Sequence, residues 1–195
     1  MSYTNLLVWC VGVCLMPMAA MAQDSGGELG FHYAYNSLSQ SNQNGASVYG
    51  EYFFKGTSPH LRGLDMLSLI GEFGGSGSGS GSLYTYLFGV RFNTEWRKPH
   101  LVLHAEYKVG GAHVRVHGAN AAGANASFTR NSIAVGIVGV GVDLRVGRHC
   151  VMTLLQSDFP AMEAPDLPSG TSHWQDDLRV SAGIGFRFGK TRRFA

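Results

Sequence analysis

The stretch DLRVSAGIGFRFG, residues 177–189, alternates without a break. Leu178, Val180, Ala182, Ile184, Phe186 and Phe188 fall on one side of an extended chain. Asp177, Arg179, Ser181, Gly183, Gly185 and Arg187 fall on the other. Successive side chains of a β-strand leave opposite faces, so a period of two predicts a strand. The composition of the faces then asks what each one meets. A sandwich strand buries its bulky face and shows long polar side chains to water. Here the second face mixes arginine with glycine, which suits a cramped, polar interior.

The same alternation recurs upstream. ELGFHYAYN sets Leu29, Phe31, Tyr33 and Tyr35 against Glu28, Gly30, His32 and Ala34. Between Ala46 and Phe54, Val48, Gly50, Tyr52 and Phe54 form the outer set. DMLSLIGEF opposes Leu67, Leu69 and Phe73 to Ser68 and Glu72. LYTYLFGVRF opposes Tyr84, Tyr86, Phe88, Val90 and Phe92 to Thr85, Leu87, Gly89 and Arg91. From His100 to Ala112, Leu101, Leu103, Ala105, Tyr107 and Val109 oppose His104, Glu106, Lys108 and Gly110. SIAVGIVGVGVDL is apolar on both faces but carries Gly139, Gly141 and Asp143 on one. CVMTLLQSDF sets Val151, Leu155 and Phe159 against Gln156 and Asp158. No segment has a long helical period, so the expected class is all-β.

Eight such segments of about 9–11 residues match the length of a tilted transmembrane β-strand. Lipid requires closure, because an open sheet edge would leave amides unpaired in hydrocarbon. The expected fold is therefore a closed eight-stranded antiparallel up-and-down transmembrane β-barrel, bulky faces outward. At eight strands the interior is just wide enough for side chains to fill it. Tyr33, Tyr35, Tyr84, Tyr86, Phe92, Trp96, Phe159 and Phe188 lie near strand ends, where aromatic girdles meet the membrane interfaces.

Connections differ in character. SLSQSNQNG, GGSGSGSGS, VHGANAAGANAS and PAMEAPDLPSGTSHWQD read as flexible loops at one end. KGTSPHLRG, NTEWRKP and RVGRH read as shorter or more basic turns at the other, the asymmetry of an outer-membrane barrel. The Gly-Ser tract from Gly74 to Ser82 reads as solvated linker.

The chain has 195 residues, 14% of them charged, and a formal net charge of +2, so composition implies no nucleic-acid partner. Leu6 to Ala22 contains no charged side chain and ends in Ala20-Met21-Ala22, a small-x-small cleavage pattern. Residues 1–22 are expected to be a cleavable signal peptide and 23–195 the barrel domain. Cys10 and Cys14 fall in that leader, which leaves Cys150 alone in the exported chain.

The expected inner face carries Glu51, Glu72, Glu106, Asp143 and Asp158 against Arg91, Lys108, Arg179 and Arg187. Unpaired buried charges are far costlier than paired ones, so a lumenal ion-pair network is expected. It would act as a plug that holds a narrow barrel shut and in register, or as a gate on ion leakage.

LYTYLFGVRF, VGVGVDLRVGRH, LLQSDF and the final strand ending Phe-Arg-Phe-Gly resemble the small outer-membrane β-barrel proteins of the OmpA/OmpX-like type. The resemblance covers Leu83 to Gly189, and the first three strands by pattern alone. It implies export to a bacterial-type outer membrane, contact with outer-membrane lipid, and a mostly non-catalytic role. It also implies folding by barrel-assembly machinery that reads an aromatic-ended last strand; Ile184, Phe186 and Phe188 match that signal. The tail KTRRFA departs from the pattern by placing Phe188 away from the terminus.

Other chemistries fit poorly. His100 and His104, like His113 and His117, are four residues apart, about 13 Å on a strand and too far for one metal ion. They read as lumenal or rim histidines. GIVGVGVDL lacks the last glycine of a dinucleotide fingerprint and no amphipathic helix follows it. Asn125-Ala126-Ser127 is a glycosylation sequon without meaning in such a barrel. Some barrels of this size modify lipid A, but no His-x-Ser occurs, and Ser172-His173 beside Asp176 and Asp177 has poor geometry for nucleophilic chemistry. No catalytic residue, cofactor or metal is expected. The leading reading is a non-enzymatic barrel with a structural or surface-interaction role through its outer loops. The alternatives are a small porin or gated leak, and a soluble lipocalin-like calyx with its bulky faces turned inward.

Overall fold

The computed structural model describes residues 26–38, 41–54, 67–78, 81–96, 100–119, 125–165, 172–176 and 178–189. The expected leader, its cleavage site and the KTRRFA tail lie outside the described residues, as does Asp177.

The described strands are β1 (Gly26–Leu38), β2 (Ser41–Phe53), β3 (Leu67–Ser78), β4 (Gly81–Trp96), β5 (Leu101–Ala119), β6 (Asn125–Val146), β7 (Cys150–Pro165), β8 (Ser172–Asp176) and β9 (Leu178–Gly189). Each pairs antiparallel with its sequence neighbour from β1 through β7. β8 and β9 lie along β7 in one register, with Ala161 opposite Asp176 and Asp158 opposite Arg179, and together form the eighth stave. β9 also pairs with β1 from Gly26–Gly189 to Ser37–Leu178, which closes the ring.

The orientation follows the faces. Tyr86, Phe88 and Ile184 are 50%, 69% and 63% exposed, while Arg91, Glu106 and Arg179 are 1%, 4% and 7% exposed. Every described strand from β1 to β7, and β9, carries large exposed apolar side chains on its outer face. That belt has no water-soluble rationale, since large contiguous apolar surface marks a membrane or partner contact. A soluble calyx with its bulky faces inward is thereby contradicted.

The strands depart from the sequence reading in three ways. They run from 12 to 22 residues, apart from the five-residue β8, and so outreach the expected 9–11. The extra length comes from segments expected to be loops. β1 and β2 continue to Leu38 opposite Ser41, so most of SLSQSNQNG is paired hairpin. Much of the Gly-Ser tract is strand as well, with Gly74 opposite Ser47 and Ser78 opposite Gly81. Glycine is a poor strand former, but here neighbouring rings cover the gaps: a Cβ on Gly71 would sit 3.2 Å from Phe88, and one on Gly75 would sit 3.1 Å from Tyr84. The expected contrast of long loops against tight turns is thus replaced by extended hairpins at the end away from the termini. The longest stretch between consecutive strands, residues 54–66, lies at the other end.

The third departure is a β-bulge in β7. Val142 faces Leu155 but Asp143 faces Thr153, so Leu154 is an extra residue. Leu154 and Leu155 both point outward, and the alternation reverses on either side of them. Val151, expected outside with Leu155 and Phe159, is therefore inside and 1% exposed. A second irregularity falls between Gly110 and Ala112 in β5 against β6.

Candidate functional site: the lumen

At the end that carries the termini, β1 and β9 place Glu28 directly opposite Arg187, and the Arg187 Nε donates to Glu28 at 2.5 Å. Glu28 also faces Glu51 across the β1–β2 pair. Two carboxylates opposite each other repel, and each is drawn to its own partner instead. Glu28 accepts from Arg187 and from the Tyr49 hydroxyl. Glu51 accepts from Arg91 at 3.0 Å, from Ser68 and from Asn93 at 2.9 Å. Tyr49 lies inside the barrel with its ring stacked on His32 at 4.5 Å. Gly30 and Gly185 make room for it, since a Cβ on either would strike the phenol.

From Arg91 the network runs the length of the lower lumen. Arg91 donates through Nε to Glu106, its direct neighbour across β4 and β5, at 2.8 Å. Lys108 pairs with Glu106 and reaches over the tube to Glu72 at 2.5 Å. Arg179 spans from β9 to β3, donating to Glu72 at 2.6 and 3.0 Å, and to Asp158 beside it. Gln156 ties the two branches together by donating to both Glu106 and Asp158. Neighbour-to-neighbour pairs therefore alternate with spokes that cross the lumen. Such an arrangement gives each buried charge the compensation that low dielectric demands.

The nine sequence-predicted positions are all buried, each no more than 7% exposed, but they do not form one set. Glu51, Arg91, Glu106, Lys108, Glu72, Arg179 and Asp158 are linked as described. Arg187 belongs with Glu28. Asp143 instead sits 3.1 Å from His104 of β5. The alternation put Glu28, His104 and Gln156 on the inner face, but the expected charge network left them out, together with Tyr49. With Glu28 included, the buried charged side chains of the described lumen number six carboxylates to four lysine or arginine side chains, rather than five to four. His100 stands apart in the exposed turn before β5, with a φ of 67°, so it does not join His104. Among the described residues no group of three His, Cys, Asp or Glu side chains is placed to hold a metal.

Above this network, toward the hairpin end, the lumen changes character. Leu83, Leu87, Ala112 and Ile137 form an inward apolar cluster on β4, β5 and β6. Next to it is a small cavity of about 30 Å³, bordered by Arg179. The lumen thus passes from a charged lower part to an apolar part above it.

No family model matches the sequence, and no curated protein matches it. Solved structures do match. Neisserial surface protein A is similar at a TM-score of 0.57 and 12% identity, covering 84% of this chain and 97% of that one. Ail, the attachment invasion locus outer-membrane protein of Yersinia pestis, is similar at a TM-score of 0.51 and 14% identity, covering 85% and 100%. At such identities the likeness concerns architecture, and it agrees with the closed ring and the outward apolar belt. The fold of this chain is that of the small eight-stranded outer-membrane β-barrels.

Proposed function

We propose that the protein is a non-enzymatic barrel of the bacterial outer membrane, with a lumen that stays shut. Its contacts with the outside are made by the extended hairpins at the end away from the termini. The observation that carries this reading is the set of ion pairs spanning the tube from β2 to β9. An ion entering the lower lumen would have to separate charges that compensate one another, at a cost of several kcal/mol per broken pair. The same mutual commitment argues against catalysis, because the lumenal acids and bases are occupied with each other rather than turned to a substrate.

The test is conductance of the purified, refolded protein in a planar bilayer. The expected record is silent at moderate voltage. Steady or stepwise openings would contradict a shut lumen and favour a small porin or gated leak instead.

A further inference from the structure

We infer that the lower lumen is a binding site for a structural water beside the β7 bulge, held by His104, Gln156 and Ser181. Through it the His104–Asp143 pair joins the main charge network. The site depends on the closed ring and not on the shut lumen, because its test reads hydration rather than conductance.

The first observation is a row of buried polar atoms without partners. Among the described residues, His104 Nε2, Gln156 Oε1 and Ser181 Oγ make no hydrogen bond, and their residues are 4%, 0% and 4% exposed. Register makes them neighbours. Gly141 of β6 faces His104 of β5 on one side and Gln156 of β7 on the other, and Gln156 faces Ser181 of β9. Paired strands lie about 4.8 Å apart, so the three side chains rise from one level of the wall. Buried polar atoms left alone are costly, and a group of them is where an internal water binds.

The second is which protons the row lacks. The Gln156 amide nitrogen donates to Glu106 and to both oxygens of Asp158, which turns Oε1 away from those carboxylates. That oxygen can only accept. His104 Nδ1 lies 3.1 Å from Asp143 Oδ2. A proton on Nδ1 suits the carboxylate and leaves Nε2 of the neutral ring as an acceptor. The row therefore takes two protons and offers one, from the Ser181 hydroxyl. A water donating to Gln156 Oε1 and His104 Nε2, and accepting from Ser181, meets all three needs, and three hydrogen bonds are usual for a buried water. A metal is a poorer guest, since no group of three His, Cys, Asp or Glu side chains among the described residues is placed to hold one.

The third is room. Leu154 and Leu155 both point outward, so the inner wall of β7 passes from Thr153 straight to Gln156. Glycines flank that gap, Gly141 opposite Gln156 and Gly183 opposite Thr153. Imidazoles lean over both: His104 Nε2 falls where a Cβ on Gly141 would stand, and His32 where one on Gly183 would. A single water needs only about 10–15 Å³.

The experiment uses the full chain refolded in detergent micelles, with water itself as the probe, and records rotating-frame cross-peaks between water and protein protons. The expected spectrum has cross-peaks from water to the Gly141 α-protons and the Gln156 side-chain amide, with the sign of through-space contact rather than proton exchange. Ser181→Val removes the hydroxyl and fills the gap, so both cross-peaks should be lost while unboiled gel migration stays that of a folded barrel. Should that variant fail to refold, a crystal structure of the unaltered chain decides, with one water expected at about 2.5–3.2 Å from all three atoms. The inference is overturned if the unaltered chain gives neither cross-peak, or if folded Ser181→Val keeps both at full strength. It is also overturned if the crystal shows the three side chains bonded directly to one another, or an ion at about 2.3–2.6 Å in place of the water.

Discussion

Arg179 reaches from β9 across the tube to Glu72 while holding Asp158 beside it. Removing it leaves two carboxylates buried without their cation, the arrangement in which loss of one partner is most damaging. Arg179→Ala is expected to lower the unfolding free energy by about 3–5 kcal/mol, measured by urea unfolding of the refolded barrel; a loss under about 1 kcal/mol would contradict the pairing. Glycine placement offers a second comparison. A Cβ on Gly139 would run into Asp158 Oδ1 and the Glu106 side chain, whereas one on Gly136 meets nothing within 4 Å. Gly139→Val should therefore cost about 1–3 kcal/mol through overpacking, and Gly136→Val much less. Equal costs for the two would contradict the packed lumen. Alternation made the inward side of Arg91, Glu106 and Arg179 legible in the sequence. Partnership was not legible, because it needs the closed ring. Glu28 and Arg187 are 159 residues apart and meet only where the first and last strands join.

At the scale of the strand, period-two patterning located the staves, and it failed where the backbone slips by a residue. The bulge at Leu154 gives β7 two consecutive outward side chains, a departure no regular pattern announces. Leu154→Arg and Leu155→Arg should both destabilise the protein in lipid vesicles, by up to about 2–4 kcal/mol if they lie near the bilayer centre. Tolerance of either would place that residue inside and remove the bulge. The Gly-Ser tract failed for the opposite reason. Its composition is that of a flexible linker, while its pairing is supplied by Ser47 on one side and the Tyr84 stretch on the other. Amide hydrogen exchange at Gly74, Gly75 and Ser76 should be slow, like that of neighbouring strand residues. Exchange at the rate of an unstructured peptide would contradict the hairpin.

Over the whole molecule, one inversion of the usual soluble plan governs the rest. Large apolar side chains lie outside and charges lie within, which is stable only where hydrocarbon surrounds the barrel and each lumenal charge has a counterpart. Closure of β9 on β1 meets the first demand of such a solvent, since it leaves no sheet edge where the first and last described strands meet. The most direct measurement is gel migration of protein refolded into lipid vesicles, in denaturing detergent with and without boiling. A closed, lipid-embedded barrel is expected to migrate differently unboiled and to shift to the unfolded position after boiling. Identical migration in both conditions would contradict a barrel whose bulky side chains face the membrane.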